Sequence, residues 1–352
     1  MSECVFIAHS DVTSMLETLS GRMDVWVPLR VDKGCGAVEF ERFKPGCSPV
    51  LDRLSTASPK KVLFPQTETL LTYRYQKDED DPSRQSLEIE DLQPVRPALV
   101  FGLRPCDVRG FLTFDQVFLN GPYKDPYYAA RRETTVFATI ACQIADSACF
   151  CSSVGSGPGD RQNSDLWMIP IDEGFVVEAL TDKGSALLTD MGTPADPKQI
   201  EQAQSVQKTI EAMTVGDADL THAARAFTDR FTDMDFWGEH LSHCNSCGMC
   251  TFNCPTCYCF NIPDEADGLE GERIRTWDSC MFNHYTREAS GHNPRPTKFE
   301  RFRNRVGHKF SYFPEKYDGM LACCGCGRCI RNCPVSMDIR QIVKDLKEEA
   351  DA

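Results

Sequence analysis

Two short cysteine runs constrain this chain more than any other feature. One reads Cys244-Asn-Ser-Cys247-Gly-Met-Cys250-Thr-Phe-Asn-Cys254-Pro255, the other Cys323-Cys324-Gly-Cys326-Gly-Arg-Cys329-Ile-Arg-Asn-Cys333-Pro334. Each is C-x2-C-x2-C-x3-C-P, a spacing that holds cubane iron–sulfur clusters. Three cysteines at intervals of two residues let one tight loop offer three sulfurs to three irons of a cube. The fourth is carried away by the next turn and reaches the other cube. The expected ligand sets are therefore crossed. Cys244, Cys247, Cys250 and Cys333 go to one [4Fe–4S] cluster, and Cys323, Cys326, Cys329 and Cys254 to the second. Small residues between the ligands let backbone N–H groups approach the sulfurs, which raises the reduction potential. Zinc is the blander alternative, but zinc sites use cysteine pairs at knuckle spacing. Two four-cysteine runs that both close on proline nearly exclude it.

The 352 residues suggest two domains, or three, and the nineteen cysteines are too many to be incidental. Met1 to Ser10 has no basic start and no long apolar run, so no signal peptide is expected. No apolar stretch has the length needed to span a bilayer. The expected location is the cytoplasm, where thiols stay reduced and act as ligands rather than disulfides. A net charge of −14 argues against nucleic acid as a partner, because phosphate contacts need a basic face. That charge suits solubility or a docking face for a basic partner.

The expected fold class is α+β or α/β. A mixed α/β domain covers residues 1–195, a helical connector 196–242, and a ferredoxin-like domain of the bacterial two-cluster type 243–352. In the first part Asp11 to Leu19 reads as a short helix. Val25 to Val31 and Val38 to Phe43 alternate as a hairpin around Lys33-Gly-Cys35-Gly36. Val62-Leu-Phe64 reads as a buried strand and Gln76 to Arg84 as an exposed loop. Ala98 to Leu103, Thr135 to Ile140, Leu166 to Ile171 and Phe175 to Val177 read as strands, with a helix over Asp107 to Phe118. In the connector, Asp196-Pro197 starts a helix whose apolar residues run from Ile200 to Met213. A second helix is expected from Leu220 to Met234. The link between the cysteine runs is an insertion of 68 residues, 255–322, far longer than a plain ferredoxin needs. Ser336 or Asp338 caps a final helix with Ile339, Ile342, Val343 and Leu346 inward.

Eleven cysteines remain outside the two runs' eight ligands. Cys106, Cys142, Cys149 and Cys151 lie just past strand ends or in a glycine-rich loop. They are the set available to a third [4Fe–4S] cluster, since open α/β sheets bind ligands at the carboxyl ends of their strands. Buried structural thiols are the other reading, and both stay open. Cys257, Cys259 and Cys280 are one short of a cube and read as packing around a cluster, with a non-standard ligand role as the alternative. Cys324 is expected to point away from the cube. Cys4, Cys35 and Cys47 read as ordinary thiols. Arg104, Asp107 and Arg109 read as an internal network that fixes a loop, or as a seat for an anionic cofactor. Gly155, Gly157 and Gly159 permit close backbone approach, but no Gly-x-Gly-x-x-Gly joins a strand to a helix, so a bound flavin or nicotinamide is not expected. The basic run Arg295 to Lys309 reads as a solvated face or a contact with another chain. His292 and His308 read as hydrogen-bonding residues. No catalytic triad or carboxylate pair stands out.

Several blocks resemble a known family, the 4Fe–4S dicluster chains of anaerobic sulfite reductase and of soluble NAD(P)-linked hydrogenases, or sulfhydrogenases, where the matching chain is the beta subunit. They are Gly102-Leu-Arg-Pro-Cys-Asp-Val-Arg109, Asp125-Pro-Tyr-Tyr-Ala-Ala-Arg-Arg132, Cys149-Phe-Cys-Ser-Ser-Val-Gly-Ser-Gly-Pro158, Cys254-Pro-Thr-Cys-Tyr-Cys259 and Thr276-Trp-Asp-Ser-Cys280. The resemblance runs from about Val25 to Val343. It implies an electron-transfer subunit of a multi-subunit anaerobic oxidoreductase. One implied partner is a flavoprotein of the FAD/NAD(P)H reductase type. The other is a catalytic redox subunit of the hydrogenase, sulfite reductase or heterodisulfide reductase-like kind. A flavin-binding catalytic subunit that reduces a soluble acceptor directly is the competing expectation. An iron–sulfur redox sensor is a third, and the acidic charge speaks against its DNA contact.

Overall fold

The chain begins with β1 (Cys4–Ala8), α1 (Val12–Ser20), β2 (Asp24–Arg30) and β3 (Val38–Arg42). A long hairpin of β4 (Thr67–Lys77) and β5 (Gln85–Asp91) precedes β6 (Ala98–Leu103), α2 (Pro105–Phe118), α3 (Pro126–Thr134) and β7 (Thr135–Ile140). Next come β8 (Leu166–Ile171), β9 (Gly174–Ala179), α4 (Asp182–Met191), β10 (Thr193–Pro194) and α5 (Pro197–Glu211). Short helices α6 (Ala224–Asp229), α7 (Met234–Leu241) and α8 (Met249–Phe252) lead to β11 (Phe260–Asn261), β12 (Asp264–Asp267) and β13 (Glu270–Trp277). The chain closes with α9 (Lys298–Gly307), a π-helical stretch His308–Tyr312, α10 (Phe313–Lys316), α11 (Arg328–Arg331) and α12 (Ile339–Glu348). The structure, a computed structural model, describes residues 4–31, 36–78, 80, 81, 83–91 and 96–348. The expected turn at Lys33 to Cys35 lies outside them.

Eight strands form one sheet in the order β10-β1-β9-β8-β7-β6-β2-β3. The central four, β8, β7, β6 and β2, are parallel, and the outer pairings are antiparallel. β6 and β7 are buried along their whole length, because helices cover both faces. Their unbroken apolar runs follow from that. One face packs Leu99, Phe101, Ala138 and Ile140 under α1 and α4. The other packs Val100, Leu103 and Phe137 under the phenylalanines of α2. Phe111 stacks on Phe137 with ring centroids 4.8 Å apart. Asp196 caps α5 with Pro197 in the first turn, and α5 lies on β8, where Trp167 Nε1 donates to Gln207 Oε1 at 3.0 Å.

A second sheet, in the order β11-β13-β4-β5 with β12 beside β13, joins the insertion to the first part of the chain. Arg275 on β13 is buried against the carboxylates of Glu68 and Asp125, with its guanidinium over the Phe64 ring at 4.8 Å. Of the exposed loop expected over 76–84, Gln76 and Lys77 belong to β4, the other described residues lead to β5, and Glu79 and Pro82 lie outside the described residues.

Two other expectations need correction. Val62-Leu-Phe64 is buried but is no strand. Pro59 opens a 3-10 turn over Pro59–Val62 and Pro65 stops the chain just after, so the run never extends. The second connector helix is two short ones, because Asp233 caps a new start by accepting the Phe236 N–H at 3.0 Å. α12 forms as expected: the Asp338 carboxylate accepts the Arg340 N–H at 2.8 Å, and Ile339, Ile342, Val343 and Leu346 are buried. Among the described residues no helix is long and apolar enough to cross a membrane.

Candidate metal centre

The two cysteine runs fold as twins. Ser246 and Gly325 hold the left-handed conformation at φ of 57° and 63°, and so do Gly248 and Gly327 at 76° and 71°. Each run then makes one helical turn, α8 or α11. Thr251 N donates to Gly248 O at 2.9 Å and Ile330 N to Gly327 O at 3.0 Å. The turn ends on Cys254 in one run and Cys333 in the other, so each fourth cysteine is swung away from its own loop. Glycine at 325 and 327 also permits close approach. A Cβ on Gly325 would stand 2.5 Å from the Cys151 backbone, and one on Gly327 2.4 Å from Ala148 O. The segment 148–151 thus lies directly on the second loop.

Cys244, Cys247, Cys250 and Cys333 line one cavity, together with Met281, Phe302 and Ile339. Cys254, Cys323, Cys326 and Cys329 line a neighbouring one, with Phe150 and Ile339. The structure therefore brings together both of the crossed sets. Cys329 and Arg305 reach both cavities. Cys247 is exposed, whereas Cys254, Cys323 and Cys326 are buried, so the first cavity is the one nearer solvent. Met337 N stands 3.2 Å from Cys333 Sγ, a backbone donor of the kind that stabilises a bound sulfur. Among the described residues no three His, Cys, Asp or Glu side chains converge as a single ion requires. A cube spreads its four sulfurs over four irons. Four thiols around each apolar cavity fit that group.

Buried cations surround these cavities, and sequence reasoning missed them. The run Arg295 to Lys309 is not a solvated face. α9 and the π-helical stretch turn Arg301, Arg305 and Lys309 inward beside Phe302, Val306 and Phe310. The readable signal is a stripe of cations four residues apart, next to an apolar stripe of the same period. Lys309 Nζ donates to Thr256 Oγ1 at 2.8 Å, Ala322 O at 2.9 Å and Cys254 Sγ at 3.3 Å. Burial pushes the Lys309 ammonium down, but the sulfurs of Cys254, Cys257 and Cys323 outweigh it and hold the ammonium well above its ordinary range. Lys60 Nζ donates to Thr251 O and Cys257 O at 3.0 and 2.9 Å and sits 4.2 Å over the Trp277 ring.

The remaining cysteines fall into two groups. Cys106 and Cys151 both stand within electrostatic reach of Cys142, and Cys106 also of Cys326. Cys149 turns elsewhere: its Sγ lies 3.4 Å from Asp146 Oδ1 and 3.5 Å from Arg331 Nη2. Burial pushes the Cys149 thiol up to about 12 and the Cys151 thiol up to about 11. In the insertion, Cys257 lies against Cys254, and Cys259 against Cys280. Cys324 does not point away. It lines the second cavity, its thiol against Cys326. Cys47 is half-buried, and Cys35 lies outside the described residues.

Arg104 and Asp107 bond to each other, and Arg109 bonds separately to the glycine loop. Asp107 Oδ2 accepts the Arg104 N–H at 3.0 Å, and Oδ1 stands 2.7 Å from Arg328 Nη2 as an ion pair without hydrogen-bond alignment. Arg109 donates to Gly155 O and Val154 O, each at 3.1 Å, and so holds the glycine loop from within. His308 shares a 3.0 Å hydrogen bond with the Tyr258 hydroxyl. Burial, with Lys309 beside it, holds its imidazole down at about 4. His292 is exposed beside Glu288.

Residues 243–337 match the model of a 4Fe-4S dicluster domain. The chain is 29% identical over 311 residues to the sulfhydrogenase 2 subunit beta of Pyrococcus furiosus, an alignment that covers 85% of each chain. No solved structure matches the chain. The protein is an iron–sulfur, electron-transfer chain of the oxidoreductase class, with a region that matches a 4Fe–4S dicluster domain and a similarity over most of its length to a sulfhydrogenase beta subunit.

Proposed function

We propose that the chain is the relay subunit of a multi-subunit anaerobic oxidoreductase. It would take electrons from a flavoprotein of the FAD/NAD(P)H reductase type and deliver them to a catalytic redox subunit such as a hydrogenase, sulfite reductase or heterodisulfide reductase-like protein. One observation carries the reading: two neighbouring cavities, whose walls each include three cysteines of one run and the last cysteine of the other, with Cys329 also on the first and Cys324 on the second. Cys244, Cys247, Cys250 and Cys333 would hold one [4Fe–4S] cube, and Cys323, Cys326, Cys329 and Cys254 the second. Bound there, the cubes supply one-electron transfer. The chain's own residues hold and insulate. Phe150, Met281, Phe302 and Ile339 exclude water, while Met337 N and Lys309 Nζ donate to ligand sulfurs. The exposed loop at Cys247 is the face we assign to exchange with a partner. The relative from Pyrococcus furiosus is named a beta subunit, which supports work within an assembly.

A second reading has its own observation. A cleft at the carboxyl ends of β2, β6 and β7 is lined by His9, Arg30, Asp52, Arg104, Gln143 and Phe175. Open α/β sheets bind ligands at that edge. A flavin there would make this chain a catalytic subunit that reduces a soluble acceptor. Acid extraction of anaerobically purified protein separates the two. Iron and sulfide with no released flavin is the result expected of a relay, and stoichiometric flavin would overturn it in favour of the cleft.

A further inference from the structure

α9 and the π-helical stretch carry three cations inward, and two of them are accounted for. Arg301 donates from Nε to Met281 O at 3.0 Å and from Nη1 to Arg295 O and Pro296 O at 3.1 and 2.9 Å. Lys309 gives its protons to Thr256, Ala322 and Cys254. Arg305, between them, is different. It is 3% exposed, yet its Nε and Nη2 are buried without a hydrogen-bond partner. The largest charges that bear on it are those of Cys250, Cys329, Cys257 and Cys254, and its guanidinium lies 5.2 Å from the Phe302 ring centroid. It lies on the wall of both cavities.

A guanidinium taken out of water without a partner costs several kcal/mol, so a fold keeps one only where negative charge meets it. Each cavity is walled by one of the crossed sets of four cysteines and a fifth cysteine, Cys329 in the first and Cys324 in the second. A cube held by four thiolates is an anion, and reduction adds one more negative charge. Net charge and hydrogen bonds to sulfur are what set such a potential. We propose that Arg305 is a positioning residue shared by the two cube sites. Its fork donates to the sulfur-rich faces of both, raises both reduction potentials and screens one reduced centre from the other. The proposal rests on the reading that cubes fill the two cavities. It differs from the role of Lys309, which lines the second cavity alone and donates to Cys254. The π-helical register supplies the geometry. It begins at His308, directly after α9, and brings Lys309 onto the second cavity while Arg305 stays between the two. Such local widening of a helix recurs at functional sites.

The test is an anaerobic redox titration followed by electron paramagnetic resonance, with iron and sulfide counted per chain in every sample. In Arg305→Met both centres are expected to become harder to reduce, each by at least about tenfold in the one-electron equilibrium, or about 59 mV. In Lys309→Met only one centre should move. If wild-type protein holds no cubes, the underlying reading fails before Arg305 is tested. If Arg305→Met holds the wild-type iron and either potential stays in place, the shared role is overturned. If Arg305→Met takes up no iron, Arg305→Lys decides. One ammonium on a shorter reach can serve only one cavity, so the two potentials should shift unequally. Both potentials at wild-type values, or loss of iron from both variants, is the outcome of a purely structural or idle Arg305 and overturns the proposal.

Discussion

Arg328 precedes Cys329 by one residue, and its side chain is 1% exposed against 2% for Asp107. The guanidinium also donates to Ser55, from Nε to O at 3.0 Å and from Nη2 to Oγ at 2.8 Å. One buried carboxylate therefore ties α2 to the second cysteine run. Asp107→Ala leaves a buried cation unanswered and should lower stability by about 3–5 kcal/mol, measured as denaturant unfolding of the anaerobic protein. A loss under about 1 kcal/mol would show that Ser55 alone suffices. At this scale the sequence is readable where spacing carries the chemistry. The crossed cysteine sets need no structure to be written down, because proline and interval mark them. Arg104 and Asp107 are readable as a pair because an Arg–Asp pair at helical spacing commonly bonds within itself, whereas the separate partners of Arg109 in the glycine loop are not. Arg305 and Lys309 are not readable. Lysine and arginine are almost never fully buried unless paired, and the thiols that justify their burial lie about fifty residues earlier and about twenty later in the chain.

Elements follow the same division. β6, β7 and β8 are legible because strands covered on both faces read as apolar runs. The second sheet is not, because β4 finds β13 across almost two hundred residues and β5 is exposed from end to end. Neither strand shows a clean inward face from its own sequence. How α2 meets the first cysteine run is equally hidden, since it depends on one missing atom. A Cβ on Gly110 would stand 2.6 Å from Pro255 Cβ and 2.8 Å from Pro255 O, so α2 rests directly on the residue after Cys254. Gly110→Ala should push the helix off that proline, at about 1–3 kcal/mol. It should also loosen the second site, read as iron lost from one centre while the other keeps its signal. An unchanged unfolding midpoint with full iron would show that Pro255 yields without cost.

Across the whole molecule, the segment 255–322 between the two cysteine runs ties them to the first part of the chain. It supplies β13 to a sheet built with β4, Arg275 to Glu68 and Asp125, and the inward cations of α9 to the two cavities. The loop between β7 and β8 packs Ala148 and Cys151 onto the second loop and puts Phe150 on the wall of the second cavity. A plain two-cluster ferredoxin has no such cover. The most direct measurement is iron and acid-labile sulfide per chain in anaerobically purified protein. The account predicts about eight of each, four per cube. A count near twelve would fill Cys106, Cys142, Cys149 and Cys151 as well. Four irons or fewer, or zinc in place of iron, would contradict it.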